Sequence, residues 1–121
     1  MNAIKITDLQ KDYKDFSLNI KNLNVPTGYI TGFIGPNGSG KTTTIKSILG
    51  MVKPNSGIIE VLDSDISKNI KIKEDIAYVG DVSGFLEESK ISNLHKVISN
   101  FYTNWDEVLY KKYINDFKIN E

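Results

Sequence analysis

Residues 35–42 read Gly35-Pro36-Asn37-Gly38-Ser39-Gly40-Lys41-Thr42 and satisfy the spacing G-x-x-x-x-G-K-[ST], the P-loop pattern. Glycines allow the backbone to adopt positive φ and to approach a phosphate with no Cβ in the way. The pattern is meaningful only between a buried strand and a helix. Here the apolar run at residues 29–34 predicts the strand, and residues 41–49 predict the helix. This context favours a phosphate site over a chance match in an ordinary glycine turn.

Each residue type in the loop has a physical role. Successive amides from about Gly38 onward are expected to point inward as an anion nest, and the positive end of the helix dipole lies at the same place. The Lys41 ammonium can reach the β- and γ-phosphates, and the Thr42 hydroxyl can ligate Mg²⁺. We therefore predict ATP with Mg²⁺ as the ligand, bound by Gly35, Pro36, Asn37, Gly38, Ser39, Gly40, Lys41, Thr42 and Thr43.

The segments around the loop predict an α/β domain, a partial P-loop NTPase core with an antiparallel β piece at the N-terminus. Period-two alternation predicts that residues 3–9 and 16–20 pair across a turn at 11–15. The helix after the loop is expected to bury Ile45, Ile48 and Leu49. Further elements are predicted as strands at 57–62 and 76–79, a solvated helix or loop at 67–75, and helices at 91–101 and 106–117.

Composition excludes several classes of function. Fifteen acidic residues balance fifteen basic residues, all of them lysine, so no net charge attracts nucleic acid. The absence of cysteine excludes disulfides, thiolate catalysis and zinc-thiolate sites, and suits a cytoplasmic protein. No run approaches the roughly eighteen apolar residues that span a bilayer. We therefore expect no direct membrane insertion, and any membrane association would depend on a partner.

The loop and the segment after it resemble the nucleotide-binding domain of ATP-binding cassette (ABC) transporters. The resemblance rests on Gly35-Pro-Asn-Gly-Ser-Gly-Lys-Thr-Thr43 followed by Gly50-Met-Val-Lys-Pro-Asn-Ser-Gly57. Two other segments, Phe85-Leu86-Glu87-Glu88 and Phe101-Tyr102-Thr103-Asn104-Trp105-Asp106, are similar to bacterial exporters of the antibiotic-resistance type. The resemblance implies a subunit that couples ATP hydrolysis to transport when complete. Its implied partners are a transmembrane permease subunit and a second nucleotide-binding domain, at the inner face of the cell membrane.

The resemblance also implies roles for two residues outside the loop. Tyr13 falls where the family has an aromatic residue that stacks on adenine, and ring faces suit base stacking. Alternatively, Tyr13 only packs under the predicted turn. Asp81 falls where the family has the Q-loop glutamine beside Mg²⁺ and the attacking water, and an aspartate oxygen can also bind a hard cation. The alternative for Asp81 is a polar residue that ends a strand. The predicted metal ligands are thus Thr42 and Asp81.

The resemblance reaches only the first half of such a domain. Its signature motif, Walker B aspartate, catalytic glutamate and switch histidine fall beyond Glu121, so we expect residues 1–121 to be a single truncated domain with no complete catalytic set. The family places two further strands between 29–34 and 76–79, which would then face a gap. His95 precedes these motifs in order and is interpreted as a packing residue.

Two other functions are compatible with a P-loop. A self-sufficient small nucleotide or metabolite kinase would need a second acid at a strand end and a basic lid. Asp81 is the sole candidate acid, and an arginine-rich lid is absent from the sequence. A nucleotide sensor without turnover is the other alternative. A phosphate-release assay separates the kinase from both other functions, because neither the sensor nor the truncated domain is expected to hydrolyse ATP.

Overall fold

A long antiparallel hairpin opens the chain, which a computed structural model describes over residues 1–81, 84 and 88–121. Strand β1 (Asn2–Tyr13) pairs with β2 (Phe16–Pro26), and Tyr13 lies opposite Phe16 across a two-residue turn. The predicted hairpin is confirmed, although both strands are longer than the apolar alternation indicated. The described residues form two compact units, 1–76 and 77–121, and the prediction of a single domain over 1–121 stays a prediction.

Two more strands complete the sheet of the first unit. Strands β3 (Ser56–Val61) and β4 (Ser64–Asp65) extend it to the order β2-β1-β3-β4, with every neighbouring pair antiparallel. The strand predicted at 57–62 is therefore confirmed. One face of the sheet carries a core cluster of the unit, whose buried members are Ile6, Leu9, Leu18 and Ile59.

A bulge in β1 brings its backbone unusually close to β3. Thr7 pairs with Ile58 and Gln10 with Ser56, so Asp8 and Leu9 together face a single residue, Gly57. Asp8 adopts a positive φ of 47° at this point. A side chain at Gly57 would have no space, because a Cβ there would lie 2.5 Å from both the Asp8 carbonyl oxygen and the Leu9 Cα.

Helix α1 (Lys41–Ile48) follows the glycine-rich loop as predicted, but it buries a different face. Thr44 and Ser47 are 1% and 0% exposed, whereas Ile45 is 36% exposed. Their hydroxyls donate to the Gly40 and Thr43 carbonyl oxygens at 2.8 and 2.7 Å. Because each hydroxyl is satisfied within the helix, these small side chains can face the core without an unpaired donor. Of the residues predicted to be buried, Ile48 packs against the core.

The two apolar runs predicted as buried strands are not strands. Residues 29–34 and 76–79 belong to no ladder of the sheet formed by the described residues. Ile34 and Val79 are 94% and 95% exposed. A strand exists only where a neighbouring backbone accepts and donates its hydrogen bonds, and the four strands described pair with one another instead. The P-loop is therefore preceded by an exposed apolar segment rather than by a strand.

The remaining elements are helical, as predicted. A 3₁₀-helix (Ile70–Asp75) lies in the first unit. The second unit contains α2 (Ile91–Ile98), a 3₁₀ turn (Ser99–Phe101) and α3 (Glu107–Asp116). His95 of α2 stacks on Tyr110 of α3 with ring centroids 3.9 Å apart. Its predicted packing role is confirmed by this contact between the helices.

Protonation of Glu107 is expected to loosen this contact in acid. His95 Nε2 lies 2.8 Å from Glu107 Oε2, and Trp105 Nε1 donates to the same oxygen at 3.0 Å. The hydrogen bond with His95, and then that from Trp105, lowers the pKa of Glu107 below its ordinary value of 4.5. A carboxyl whose pKa is lowered by folding stabilises the fold above its unfolded pKa, and this contribution is lost as pH falls through the folded value.

Trp105 is the single tryptophan of the chain, so its fluorescence reports on this contact. We expect a change in emission with a midpoint below pH 4.5, which Glu107→Gln should abolish because an amide does not titrate there. Glu88→Gln, in the same unit, is a control that should leave the transition in place. A transition unaffected by Glu107→Gln would contradict the assignment.

Candidate phosphate-binding site

The predicted loop residues surround one cleft of about 430 Å³. Seven of the nine predicted residues line it, and Phe16 from the start of β2 adds an aromatic wall. Gly35 and Ser39 are neighbours in the loop, since a Cβ at Gly35 would lie 2.8 Å from the Ser39 hydroxyl oxygen. The lining residues are Phe16, Pro36, Asn37, Gly38, Gly40, Lys41, Thr42 and Thr43.

Helix α1 begins in this cleft without a side-chain cap. Its N-cap residue is Gly40, with a φ of 103° that a residue with a side chain rarely adopts. The first amide with a helical acceptor is that of Thr44, which donates to the Gly40 carbonyl at 2.9 Å. Across the described part of the chain, no backbone hydrogen bond is donated by the amides of Lys41, Thr42 or Thr43. The cleft therefore holds three backbone donors at the positive end of the helix dipole.

Lys41 folds back over the loop from the first turn of α1. Its ammonium donates to the carbonyl oxygens of Gly35 and Pro36, the latter at 3.0 Å. An ammonium has three donors, so one remains for a further acceptor. Among the described residues that line the cleft, Lys41 is also the sole charged one. The loop thus presents a positive charge, already oriented by its own backbone, beside the free amides.

The hydroxyls along α1 divide into two groups. Those of Thr44 and Ser47 are buried and bonded within the helix, as described above. None of the hydrogen bonds found among residues 1–81, 84 and 88–121 uses the Thr42 or Thr43 hydroxyl, and both residues line the cleft. The same ranges contain no group of three His, Cys, Asp or Glu residues arranged for a metal. Thr42 and Thr43 thus offer hydroxyl oxygens that a cation in this cleft could bind.

The aromatic residue of the cleft is Phe16, and sequence reasoning missed it. Tyr13 is 46% exposed, does not line the cleft, and stacks on Phe16 with centroids 6.5 Å apart. The sequence did contain a signal, since Phe16 is the apolar residue of β2 that lies nearest to the turn. Its alternation with Leu18 and Ile20 predicts a strand and does not by itself indicate a ligand site. Stacking of Tyr13 on adenine stays a prediction.

Asp81 belongs to the second compact unit, where it is exposed. Its predicted role as a ligand of Mg²⁺ stays a prediction. Three residues of the segment similar to exporters, 85–87, lie outside the described residues. A search of the described helices finds none with the length and apolarity to cross a bilayer.

Comparison with known proteins identifies a transporter family and relatives that are named as ATP-binding proteins of transport systems. A family model described as "ABC transporter" matches residues 18–121. The bacitracin transport ATP-binding protein BcrA of Bacillus licheniformis is 43% identical over 105 residues, which is 77% of this chain and 34% of that protein. The tungstate uptake ATP-binding protein TupC of Peptoclostridium acidaminophilum is 37% identical over 92 residues, 75% of this chain and 42% of that protein.

A solved structure agrees with these relatives. The ATP-binding subunit of an ABC transporter superposes with a TM-score of 0.77 at 25% identity, covering 91% of this chain and 46% of that one. The chain thus spans 34% and 42% of the lengths of the two relatives and less than half of the solved subunit.

Proposed function

The chain belongs to the ABC transporter family, and we propose that it is an ATP-binding part of such a transporter whose cleft at the start of α1 holds the nucleotide phosphates. The family predicted from residues 35–57 is thereby confirmed, and the similarity to a bacitracin transport protein agrees with the antibiotic-exporter subgroup. The match over residues 18–121 favours this function over a self-sufficient kinase.

One observation carries the proposal: the cleft contains hydrogen-bond donors that lack acceptors. The amides of Lys41, Thr42 and Thr43 have no acceptor in the described part of the chain, and the Lys41 ammonium has a donor to spare. A phosphate group supplies several acceptor oxygens and negative charge, which the helix dipole and the ammonium both favour. Gly38, with a φ of 82° and nothing within 4 Å of an added Cβ, keeps the loop open to the ligand.

The oxygen atoms proposed as ligands also fit Mg²⁺ bound together with the nucleotide. Magnesium takes few ligands from protein, typically one or two oxygens beside substrate phosphates and water. The unbonded Thr42 hydroxyl is one such oxygen, and Asp81 is the proposed second. When bound, the ion would neutralise charge on the β- and γ-phosphates. Thr42 also supplies an amide to the same cleft that has no acceptor among the described residues.

The remaining assignments concern the whole transporter. We propose that the complete protein hydrolyses ATP by in-line attack of water on the γ-phosphate, and that this chain contributes the phosphate-binding loop. Its proposed partners are a transmembrane permease subunit and a second nucleotide-binding domain, at the cytoplasmic face of the membrane. The ATP-binding relatives, named for transport of bacitracin and uptake of tungstate, support this assembly.

The proposal is tested by calorimetric titration of MgATP into the chain. We expect saturable binding that inorganic tripolyphosphate displaces, because the cleft recognises the phosphates. GTP should bind comparably if the loop dominates the affinity. Heat no greater than that of dilution, with both MgATP and tripolyphosphate, would overturn the proposal.

Thr42→Val should remove the dependence of binding on Mg²⁺. Valine keeps the shape of threonine but offers no oxygen. Changes in even the outer shell of a metal site lower affinity by roughly tenfold to a hundredfold. We therefore expect the gain in ATP affinity on adding Mg²⁺ to fall by about tenfold or more, with binding in EDTA unchanged. Titrations of both proteins with and without Mg²⁺ measure this gain.

Thr43→Val is the matched control, because it removes the neighbouring hydroxyl from the same turn. That hydroxyl is expected to contact the α-phosphate, so its loss should weaken binding equally with and without Mg²⁺. A Thr42→Val protein that keeps the full Mg²⁺ effect would exclude Thr42 as the ligand.

A further inference from the structure

The glycine-rich loop contains the one Asn-Gly pair of the sequence, Asn37-Gly38. Both residues line the cleft, and both are exposed. Gly38 has a φ of 82°, and nothing lies within 4 Å of a Cβ added to it, so the backbone that follows Asn37 is uncrowded. Asparagine is one of the chemically labile residues, and a glycine after it leaves the next backbone nitrogen open to its side chain, because glycine has no Cβ.

Neither of these two groups is held by a hydrogen bond. Across the residues that the structure describes, the Asn37 side chain and the Gly38 amide take part in none. Asn55, which precedes a serine, differs because its Oδ1 accepts a hydrogen bond from the Asp12 amide at 2.8 Å. The side chain of Asn55 is therefore restrained by a neighbouring strand, whereas that of Asn37 can approach the nitrogen of the next residue.

We propose that Asn37 is a site of spontaneous deamidation, and that the carboxylate formed there lowers the affinity of the cleft for nucleotide phosphates. The Gly38 nitrogen loses its proton and attacks Asn37 Cγ. The N–Cγ bond forms, the Cγ–Nδ2 bond breaks, and Nδ2 leaves with that proton as ammonia. Water then hydrolyses the succinimide at either carbonyl carbon and gives aspartate or isoaspartate. No oxidation or reduction takes place, and water is the co-reactant.

The product brings a negative charge into a cleft that otherwise suits an anion. Lys41 supplies the charge in the described lining of the cleft, and a carboxylate at position 37 would attract its ammonium and repel the phosphates. A bound phosphate has the opposite effect on the reaction, because it covers the loop and accepts hydrogen bonds from its amides. We therefore expect MgATP to slow the deamidation. This coupling rests on the proposed function, whereas the reaction at Asn37 does not.

Incubation of the whole chain in mildly alkaline buffer, with and without MgATP, tests the modification. Peptide mass spectrometry should show conversion at Asn37 that is faster than at Asn55 and slower with saturating MgATP. Calorimetry should show that the fraction of wild-type chains with full affinity falls in step with conversion. Asn37→Asp should bind MgATP about tenfold or more weakly without incubation. Asn37→Gln, compared with its own fresh sample, should keep its affinity, because glutamine would have to close a larger ring.

The contrary outcomes are distinguishable. Conversion at Asn55 as fast as at Asn37 would overturn the special reactivity of the loop. An Asn37→Asp chain that binds MgATP as the wild type does would overturn the effect of the carboxylate. Equal rates with and without MgATP, in a chain that binds MgATP, would overturn the coupling between ligand and reaction. A chain that deamidates at Asn37 but binds neither MgATP nor tripolyphosphate would overturn the proposed function and leave the modification in place.

Discussion

Lys41→Ala is expected to weaken MgATP binding by roughly tenfold to a hundredfold. Of the side chains that the structure describes in the lining of the cleft, that of Lys41 alone is charged, and its ammonium keeps a donor beyond those directed at Gly35 and Pro36. Hydrogen bonds to charged groups contribute about 1.5–3 kcal/mol, which corresponds to the expected range. Calorimetry at fixed ionic strength measures the loss, because salt screens the attraction between a partly exposed ammonium and phosphate.

The chain offers a matched control on the same helix. Lys46 lies in the last turn of α1, is exposed, and does not line the cleft. Lys46→Ala should therefore bind MgATP as the wild type does, although it removes the same charge from the same element. Equal affinities for the Lys41→Ala and wild-type proteins would contradict the proposed site. A similar loss in both variants would attribute the effect to net charge rather than to position.

The hairpin and the loop were predictable because their determinants are local. Alternation in residues 16–20 marks a strand with one buried face, and the glycine spacing of 35–42 fixes where a helix begins. The strands extend beyond the apolar residues because a paired strand can carry polar side chains on its exposed face. Asp12 and Ser17, for example, are paired with each other near the turn. Backbone pairing, rather than hydrophobicity, sets the strand ends.

The strands expected at 29–34 and 76–79 depended on information that a local pattern lacks. An apolar run indicates that a segment is suited to burial, but it does not identify the backbone that will pair with it. β3 did form where predicted because β1 lies beside it and supplies ladder partners. The two other runs have no such neighbour in the described sheet, and their side chains are exposed apart from that of the half-buried Ile76. Burial of an apolar segment is thus a property of its surroundings as much as of its sequence.

In the candidate site, too, some features are predictable from local sequence and others depend on the surrounding fold. The loop residues were predicted from their spacing and from the segments on either side, whereas the orientation of the hydroxyls required the structure. Thr42 to Thr44 are three threonines in succession, and only the helix geometry directs the first two to the cleft and the third to the core. Phe16 was missed because its β-strand period matches that of a core residue. Its contact with Gly40 joins segments 24 residues apart, which a local pattern does not encode.

Gly57→Ala is expected to destabilise the first unit strongly, since Gly57 faces the bulge in β1. Alanine at a φ of 99° is strained by about 1–2 kcal/mol. Its Cβ would also lie 2.5 Å from the Asp8 carbonyl oxygen and the Leu9 Cα, backbone atoms that cannot rotate away. Separating the strands to relieve such overpacking costs about 1–3 kcal/mol more. The sum, roughly 2–5 kcal/mol, is a large part of the 5–15 kcal/mol that stabilises a typical domain.

Hydrogen exchange of the β1 and β3 amides is the suitable measurement, because the single tryptophan lies in the other unit and does not report on this sheet. Gly28→Ala separates the two causes. Gly28 also has a positive φ, 84°, but nothing lies within 4 Å of an added Cβ. The free energy of unfolding of Gly28→Ala should therefore decrease only by the cost of the backbone strain, about 1–2 kcal/mol. A result in which Gly57→Ala reduced protection of the β1 and β3 amides no more than Gly28→Ala does would contradict the expected clash between the alanine Cβ and the bulge. Loss of protection confined to β1 and β3 would instead locate the clash at their shared ladder.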